Sequence, residues 1–256
     1  GDLFVALRGE RFDGHRFVQD VLSRGAAGVV VEHAEGLKIP SDALVLVVED
    51  TARALGALAT RYRKTFDIPV LAVAGSNGKT TTKDMITRVL ASTYTVLGTE
   101  GNLNNHIGVP LTLFRLDRSH EIAVVEIGTN HPGELALLCG ILQPTHAMLT
   151  NIGREHLEFF GSLEAVASEE GSVWAALPPD KTRRAFVNAD DPLVVRTART
   201  LRSRVSFGFR SRSADVRGTA LRVGDDGCAR FRFRGPRMKN PVPVTMAVPG
   251  RHQASN

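Results

Sequence analysis

The feature of the sequence that most constrains its fold is a glycine-rich loop between an apolar strand and a helix. The run Val70 to Ala74 has the length of a buried strand. Residues 75–81 read GSNGKTT, and apolar residues then recur at helical spacing at Met85, Ile86, Val89 and Leu90. Strand, glycine loop and helix in this order predict a phosphate-binding P-loop. Val73 stands where the full Walker A pattern has its first glycine, so the match is to the shorter G-x-x-G-K-T form.

Each residue type in this loop suits the binding of phosphate or of the metal ion that accompanies it. Glycines let backbone N–H groups wrap around phosphates, and the helix N-terminus adds positive potential. Lys79 neutralises phosphate charge, and the Thr80 hydroxyl can ligate Mg²⁺. The alternative, a tight turn that happens to contain Gly-Lys-Thr, does not account for the strand and helix on either side.

The rest of the chain predicts an α/β protein with two domains. From residue 70 onward apolar strands alternate with helical stretches, which is typical of a mostly parallel sheet with covering helices. The predicted strands are Val70 to Ala74, Ile122 to Ile127, His146 to Thr150 and Ala185 to Val187. Residues 1–66 read as a smaller α/β unit, and Pro69 breaks the helical pattern that ends it. We therefore predict a small N-terminal α/β domain at 1–67 and a P-loop mononucleotide-binding domain at 68–256.

Composition excludes several classes of protein. Hydrophobic residues make up 43% of the chain and charged residues 23%, so it is neither disordered nor fibrous. No apolar run reaches the length of a membrane span, so membrane insertion is not expected. Cys139 and Cys228 lack metal-ligand spacing and are expected to be reduced thiols in a cytoplasmic protein. No signal peptide is visible, and the opening residues read as already inside a fold, so the true start is expected to be missing.

The positive charge is concentrated in one region. Residues 181–240 hold 16 Lys and Arg against 5 Asp and Glu. Such a region can bind nucleic acid, which would make binding strongly salt-dependent. In residues 230–234, however, arginine alternates with phenylalanine, as expected of the solvated face of a sheet. We therefore expect no nucleic-acid partner.

Two candidate residues follow later strands of the sheet. Ligands of such sheets lie outside the carboxyl ends of the strands. Glu126 lies near the end of the second strand, where a metal-holding carboxylate is expected, although it could be a solvated glutamate. His156 follows the third strand and is a candidate contact for Mg²⁺ or phosphate, although a lone histidine is more often structural.

A third candidate interrupts the apolar face of a helix that begins near Ser162. The face is formed by Leu163, Val166, Ala167, Val173, Trp174 and Leu177. Glu170 occupies the gap in it, whereas Glu169 is expected to point elsewhere. A buried carboxylate needs a cation or hydrogen-bond donors. We interpret Glu170 as functional in preference to a locally paired structural residue.

Together these motifs resemble the Mur ligase family over nearly the whole chain. The resemblance includes residues 1–7 (GDLFVAL), 12–15 (FDGH), 101–110 (GNLNNHIGVP), 126–134 (EIGTNHPGE) and 156–162 (HLEFFGS). It implies a cytoplasmic, monomeric, ATP- and Mg²⁺-dependent ligase of peptidoglycan synthesis. The implied reaction activates the carboxylate of UDP-MurNAc-tripeptide as an acyl phosphate, which the amine of D-Ala-D-Ala attacks.

The resemblance also assigns residues. The ATP phosphates would contact Gly75, Ser76, Asn77, Gly78, Lys79, Thr80 and Thr81. Thr80 and Glu126 would hold one Mg²⁺, and His156 would help to hold a second. The muramoyl peptide would contact Asn104, Asn105, Thr129 and Asn130. Asn188 and His252 would lie on the adenine side, and the catalytic set would be Lys79, Glu126, His156 and Glu170.

The chain departs from the family in two ways. Glu170 aligns with a lysine that family members carbamylate, so we expect the glutamate to supply the anion without CO₂. Activity should then survive removal of bicarbonate and fall sharply in Glu170→Ala. The family's third domain, which helps to bind the incoming amine, is expected to be absent, so the chain alone is expected to be inactive.

Two other readings stay open. A sister Mur ligase or a folylpolyglutamate-type ligase would share the P-loop, although the Asn-Leu-Asn-Asn run of residues 102–105 argues against both. A non-catalytic nucleotide-binding module is favoured by the missing lysine. Formation of a phosphorylated intermediate by the full-length protein would exclude it.

Overall fold

The first part of the chain forms a three-stranded parallel sheet. The computed structural model describes residues 1–9, 11–41, 43–177 and 184–249. The first elements are β1 (Leu3–Val5), β2 (Arg8–Gly9), β3 (Phe12–Asp13), α1 (Val18–Ser23), β4 (Gly28–Val31), β5 (Leu44–Val47) and α2 (Thr51–Arg63). The strand order is β1-β4-β5, and β2 pairs with β3 in a separate hairpin. A small core including Val18, Leu22, Val29 and Val31 joins α1 to the sheet, as an apolar helix face and alternating strand residues require.

The second sheet has nine strands and contains the strand that precedes the glycine loop. Its elements are β6 (Val70–Ala74), α3 (Lys79–Leu90), β7 (Val96–Gly98), α4 (Gly108–Leu113), β8 (Ile122–Glu126), α5 (Glu134–Leu142), β9 (His146–Leu149), α6 (Leu157–Phe160), α7 (Leu163–Gly171), β10 (Ala185–Asn188), α8 (Pro192–Thr197), β11 (Arg204–Gly208), β12 (Val216–Val223), β13 (Cys228–Arg234) and β14 (Val242–Pro249). The order is β14-β13-β12-β11-β10-β9-β6-β8-β7. The strands from β7 to β12 pair in parallel, and β12, β13 and β14 pair antiparallel.

This arrangement confirms the predicted mostly parallel sheet. All five residues of β6 are buried, as expected of a central strand covered on both faces. Strands β8 and β9, which follow each other in the chain, lie on opposite sides of β6, so the strand order reverses there. A crevice at such a reversal is where open α/β sheets bind ligands. The fold therefore brings the glycine loop, Glu126 and the segment after β9 together at the carboxyl ends of the central strands.

The antiparallel extension explains the positive region. Arg230, Arg232 and Arg234 are exposed on β13, whereas Phe231 and Phe233 between them are half-buried. This confirms the predicted solvated face. Both cysteines are unpaired, and burial, with the nearby charges of Glu169 and Glu170, raises the pKa of the Cys139 thiol to about 12. In the part of the chain that the structure describes, no helix is long and apolar enough to cross a bilayer.

Helix α2 joins the two sheets. The proposed division at residue 67 assigns it to the N-terminal domain, but its Ala59 is buried in the large core, against which Tyr62 also packs. The Tyr62 hydroxyl donates to Leu116 O at 2.6 Å. The helix packs along α4 and α5, which cover the nine-stranded sheet. It thus follows the first sheet in the chain and packs against the helices that cover the second.

Candidate active site

The glycine loop is fixed by the segment that follows β9. Gly75 has φ +120°, and a Cβ there would lie 2.3 Å from Thr150 Oγ1, so only glycine fits. The backbone N–H of Ser76 donates to Asn151 O at 2.9 Å. That of Asn77 donates to Asn151 Oδ1 at 3.1 Å. The loop is therefore held in shape without a ligand, which reduces the entropy lost when a phosphate binds.

Lys79 and Thr80 begin helix α3. Gly78 precedes them with φ +79°, which turns the chain from the loop into the helix. Lys79 Nζ donates to Gly75 O at 2.6 Å and to Ser76 O at 3.3 Å, so the ammonium lies over the loop. Thr80 is exposed on the first turn, while Thr81 is half-buried. A positive side chain, a helix N-terminus and an accessible hydroxyl therefore lie together at the strand edge, as a phosphate site requires.

Glu126, the last residue of β8, is 2% exposed. Its Oε1 accepts a hydrogen bond from Asn104 Nδ2 at 2.8 Å, whereas Oε2 is buried without a hydrogen-bond partner. A Cβ on Gly128 would lie 3.3 Å from Asn104 Nδ2 and 3.7 Å from Lys79 Cε, so these groups converge. A buried carboxylate oxygen without a donor is costly unless a cation binds it.

Glu170 is 1% exposed and lies beside the loop, as the gap in the apolar helix face predicts. The backbone N–H of Gly75 and the carboxyl of Glu155 both lie close enough to act on its pKa. The pKa of Glu170 is raised to about 8 in all: burial raises it most, the charge of Lys79 lowers it, and Glu155 raises it. Glu155 was not predicted as a site residue. Its position immediately before His156 was the only signal for it.

His156 lies between the end of β9 and helix α6. Its φ is +47°, an uncommon left-handed conformation for a non-glycine residue. Its side chain is 37% exposed, and Nδ1 lies 3.9 Å from Glu158 Oε1. The ring is therefore accessible at the same edge as Glu155.

These residues fit a Mg²⁺ ion only if phosphate oxygens complete its ligands. Among residues 1–9, 11–41, 43–177 and 184–249, no group of three or more His, Cys, Asp or Glu side chains is arranged to hold a metal. Magnesium at nucleotide sites takes one or two carboxylates plus phosphate and water oxygens. The orphaned oxygen of Glu126 and the exposed Thr80 suit that role.

The four residues predicted to contact the muramoyl peptide have other bonds in this structure. Asn104 holds Glu126, and Asn105 Oδ1 accepts from the N–H of Ile107 and of Gly108 at the start of α4. Thr129 is 7% exposed, and its hydroxyl lies 3.2 Å from Glu169 Oε1. Asn105 and Asn130 are exposed, whereas Asn104 is half-buried.

The expectation that Glu169 points away from the core is wrong. Glu169 is 8% exposed and accepts from the N–H groups of Gly133 and Leu135, both at 2.8 Å. The reason is that α7 packs against α5 on one side and α8 on the other, so two of its faces are covered. The glutamate caps the N-terminus of α5, where a negative charge is stabilised.

A cavity of about 870 Å³ lies beside the loop. Asn188 lines it, with Nδ2 donating to Thr150 O at 2.7 Å, and Asn151 lines it too. Asp190, Asp191 and the rings of Phe207, Phe209 and Phe231 form other parts of the wall. A flat aromatic ligand can stack in such a cavity with its polar edge toward the asparagines. His252, the other residue predicted on this side, lies outside the described residues.

Comparison with protein-family models gives two matches. Residues 73–256 match the Mur ligase middle domain, and residues 1–63 match the catalytic domain of the Mur ligase family. The UDP-N-acetylmuramoyl-tripeptide–D-alanyl-D-alanine ligase of Escherichia coli is 37% identical over 258 residues, which cover 100% of this chain and 55% of the relative.

Solved structures agree with these matches. A crystal structure of MurF from Acinetobacter baumannii has a TM-score of 0.89 and 34% identity, covering 100% of this chain and 54% of that one. The MurF ligase of Thermotoga maritima in complex with ADP has a TM-score of 0.84 and 30% identity, covering 100% and 58%. This chain thus spans about half the length of these relatives. Because the middle-domain match alone covers more than half of the chain, and its fold agrees, the chain belongs to the Mur ligase family.

Proposed function

We propose that this chain is the substrate- and ATP-binding part of a ligase that joins D-Ala-D-Ala to UDP-MurNAc-tripeptide in peptidoglycan synthesis. The observation that carries the proposal is the convergence of Lys79 with Glu126 at the glycine loop, where the carboxylate keeps one buried oxygen without a donor. The relatives named for this reaction match along the whole chain. In this proposal residues 1–67 bind the muramoyl substrate and residues 68–256 bind ATP.

The chemistry follows from the positions of these groups. The substrate carboxylate attacks the γ-phosphorus of ATP and ADP leaves. The amine then attacks the acyl carbon of the acyl phosphate, so that the amide bond forms and inorganic phosphate leaves. Lys79 and the loop N–H groups stabilise charge on the transferring phosphoryl group. Thr80, Glu126 and His156 would hold Mg²⁺, which neutralises phosphate charge when bound.

The adenine would lie in the cavity next to Asn188. Its aromatic wall suits a purine, and Asn151 connects that wall to the loop through Asn77. The Thermotoga maritima relative was solved with ADP, which supports a nucleotide at this edge. We further propose that the protein acts as a cytoplasmic monomer.

The loop lysine tests the ATP site directly. We expect Lys79→Met to weaken binding of a fluorescent ATP analogue by about tenfold or more, since a charged contact to phosphate contributes at least 1.4 kcal/mol. Lys64→Met, which removes an exposed lysine after α2, is the matched control and should bind normally. Equal affinities of the two variants would contradict the site.

Substrate choice is tested in the full-length protein. Phosphate release is measured with ATP, each UDP-muramoyl peptide, and either single amino acids or D-Ala-D-Ala. We expect release with the tripeptide substrate and D-Ala-D-Ala. Release with single amino acids alone would indicate a sister ligase. ATP binding without a phosphorylated intermediate would indicate a non-catalytic module.

A further inference from the structure

A lysine is buried in the helix that begins at the glycine loop. Lys83, in the second turn of α3, is 3% exposed. Its Nζ donates to Thr99 O at 2.9 Å and forms an ion pair with the exposed carboxylate of its neighbour Asp84. Removing an ammonium group from water is costly, and an apolar side chain would fill the same space without that cost. Packing alone therefore does not account for a lysine at this position.

Thr99, which accepts this hydrogen bond, connects α3 to the strand that carries Glu126. It begins the segment 99–107 between β7 and α4, referred to below as the asparagine loop. The backbone N–H of Glu126 donates to Thr99 Oγ1 at 2.9 Å, and both groups are buried. The backbone N–H of Thr99 donates to Val124 O at 3.2 Å, two residues earlier in β8. A displacement of Thr99 would therefore move the end of β8 with it.

The asparagine loop also holds the side chain of Glu126. Asn104 Nδ2 donates to Glu126 Oε1 at 2.8 Å. Asn104 O accepts from the backbone N–H of Gly128 at 3.0 Å, which fixes the asparagine against the segment after β8. One loop thus holds Glu126 both at its backbone and at its carboxylate, and Lys83 holds the start of that loop.

We propose that Lys83 is a positioning residue, which through Thr99 and the asparagine loop places the Glu126 carboxylate for the metal ion of the bound nucleotide. The inference rests on the proposed ATP site and on the role of Glu126 in it. Replacing a group that holds a metal ligand in place changes metal affinity by about 10- to 100-fold. Two lysines of one helix then have different tasks, because Lys79 contacts phosphate and Lys83 acts through the loop.

The test separates metal affinity from nucleotide affinity. Mn²⁺ is titrated into the full chain with a non-hydrolysable ATP analogue, and free Mn²⁺ is measured by electron paramagnetic resonance. We expect Lys83→Met, which removes the charge from a long side chain, to raise the dissociation constant of Mn²⁺ by about tenfold or more. Thr99→Val, which removes only the hydroxyl, should also raise it and keeps the test valid if Lys83→Met does not fold. Thr99→Ser, which keeps the hydroxyl, should stay close to the unmodified value.

A matched control comes from the same helix. Thr87 Oγ1 is buried without a hydrogen-bond partner among the described residues, so Thr87→Val should leave the dissociation constant of Mn²⁺ unchanged.

Binding of the fluorescent ATP analogue without metal is measured on every variant and should be equal in all of them. A purely structural role of Lys83 would weaken this metal-free binding as much as the binding of Mn²⁺, and that result would overturn the proposal. An unchanged dissociation constant of Mn²⁺ in both Lys83→Met and Thr99→Val would overturn it as well. If the unmodified chain binds no nucleotide, it is the proposed function that fails.

Discussion

At the scale of single residues, Gly75 shows how the phosphate-binding loop depends on the absence of a side chain. Its φ of +120° is a region that other residues rarely adopt, and the neighbouring Thr150 Oγ1 fills the space that a Cβ needs. Thr150 is held in turn, because its hydroxyl donates to Asn77 O at 2.8 Å. A change at Gly75 therefore disturbs both the loop and the strand end behind it.

We expect Gly75→Ala to lower the free energy of unfolding by about 3 kcal/mol or more, since backbone strain and a steric clash add. Gly133→Ala separates the two causes, because Gly133 has φ +89° but no atom within 4 Å of its Cβ position. It should cost only about 1–2 kcal/mol. Urea unfolding measures both. Equal losses would show that the contact with Thr150 is unimportant.

Prediction of single residues succeeded where they lie in a helix or strand, because a residue that breaks the regular spacing of apolar side chains can be recognised. The apolar face of α7 identified Glu170 as buried because an acid interrupted a helical pattern. The same pattern placed Glu169 off this face, but one helix cannot show that a second and a third helix cover its other faces. Glu155 lies in a loop without periodicity, so its approach to Glu170 depends on the strand order alone.

At the scale of elements, two helix N-termini near the site are stabilised by carboxylates, one from another helix and one from the helix's own N-cap residue. Glu169 accepts from the first turn of α5 and from Gly133 just before it. Asp191 caps α8 and also accepts from Ile152 N at 2.9 Å, which joins β10 to the segment after β9. These contacts fix the loops at the carboxyl edge of the sheet, where the site lies.

Removing one of these caps should destabilise the sheet edge. We expect Glu169→Ala to lower the free energy of unfolding by about 2–3 kcal/mol, because two buried N–H groups lose a charged acceptor. Glu164→Ala, on the exposed side of α7, should change it by about 0.5 kcal/mol or less. Thermal and urea unfolding compare them. Similar losses in both variants would contradict the capping role.

Asp190 predicts a pH dependence. Burial raises the pKa of Asp190, but N–H groups of Arg210, Phe209 and Ser211 and the charge of Arg210 outweigh this, so the pKa lies below its ordinary 3.8. A lowered folded-state pKa adds stability that is fully present above pH 3.8 and is lost as pH falls through the lowered value. We expect Asp190→Ala to cost about 2 kcal/mol at pH 7 and less in strong acid, measured by urea unfolding. A loss that is independent of pH would refute this.

At the scale of the whole molecule, α2 makes the two sheets depend on each other. Ala59 is buried in the large core, and Tyr62 packs against it and donates to Leu116 O. A fragment of residues 68–256 would expose the surfaces of α4 and α5 that α2 covers. We expect fragment 49–256 to melt at a higher temperature than fragment 68–256, measured by circular dichroism. Equal melting temperatures would show that α2 adds no stability to the second sheet.

The sequence predicted the fold class, a mostly parallel α/β sheet, but not the order of the strands in that sheet. Alternating strands and helices predicted a parallel sheet, because each apolar run such as Val70 to Ala74 needs cover on both faces. The alternation of arginine and phenylalanine at 230–234 predicted a strand with one solvent-exposed face. The sequence could not show that β12, β13 and β14 extend the same sheet, since pairing between strands far apart depends on packing of the whole chain.

Strand β14 is the outer edge of the nine-stranded sheet, and prolines stand at positions 241, 243 and 249, in the strand or next to it. Proline has no backbone N–H, so the edge offers fewer donors to an incoming strand than an ordinary edge does. Edge-to-edge pairing is a common first step from a dissolved protein to an aggregate. The prolines therefore disfavour pairing of β14 with a strand from another copy of this chain.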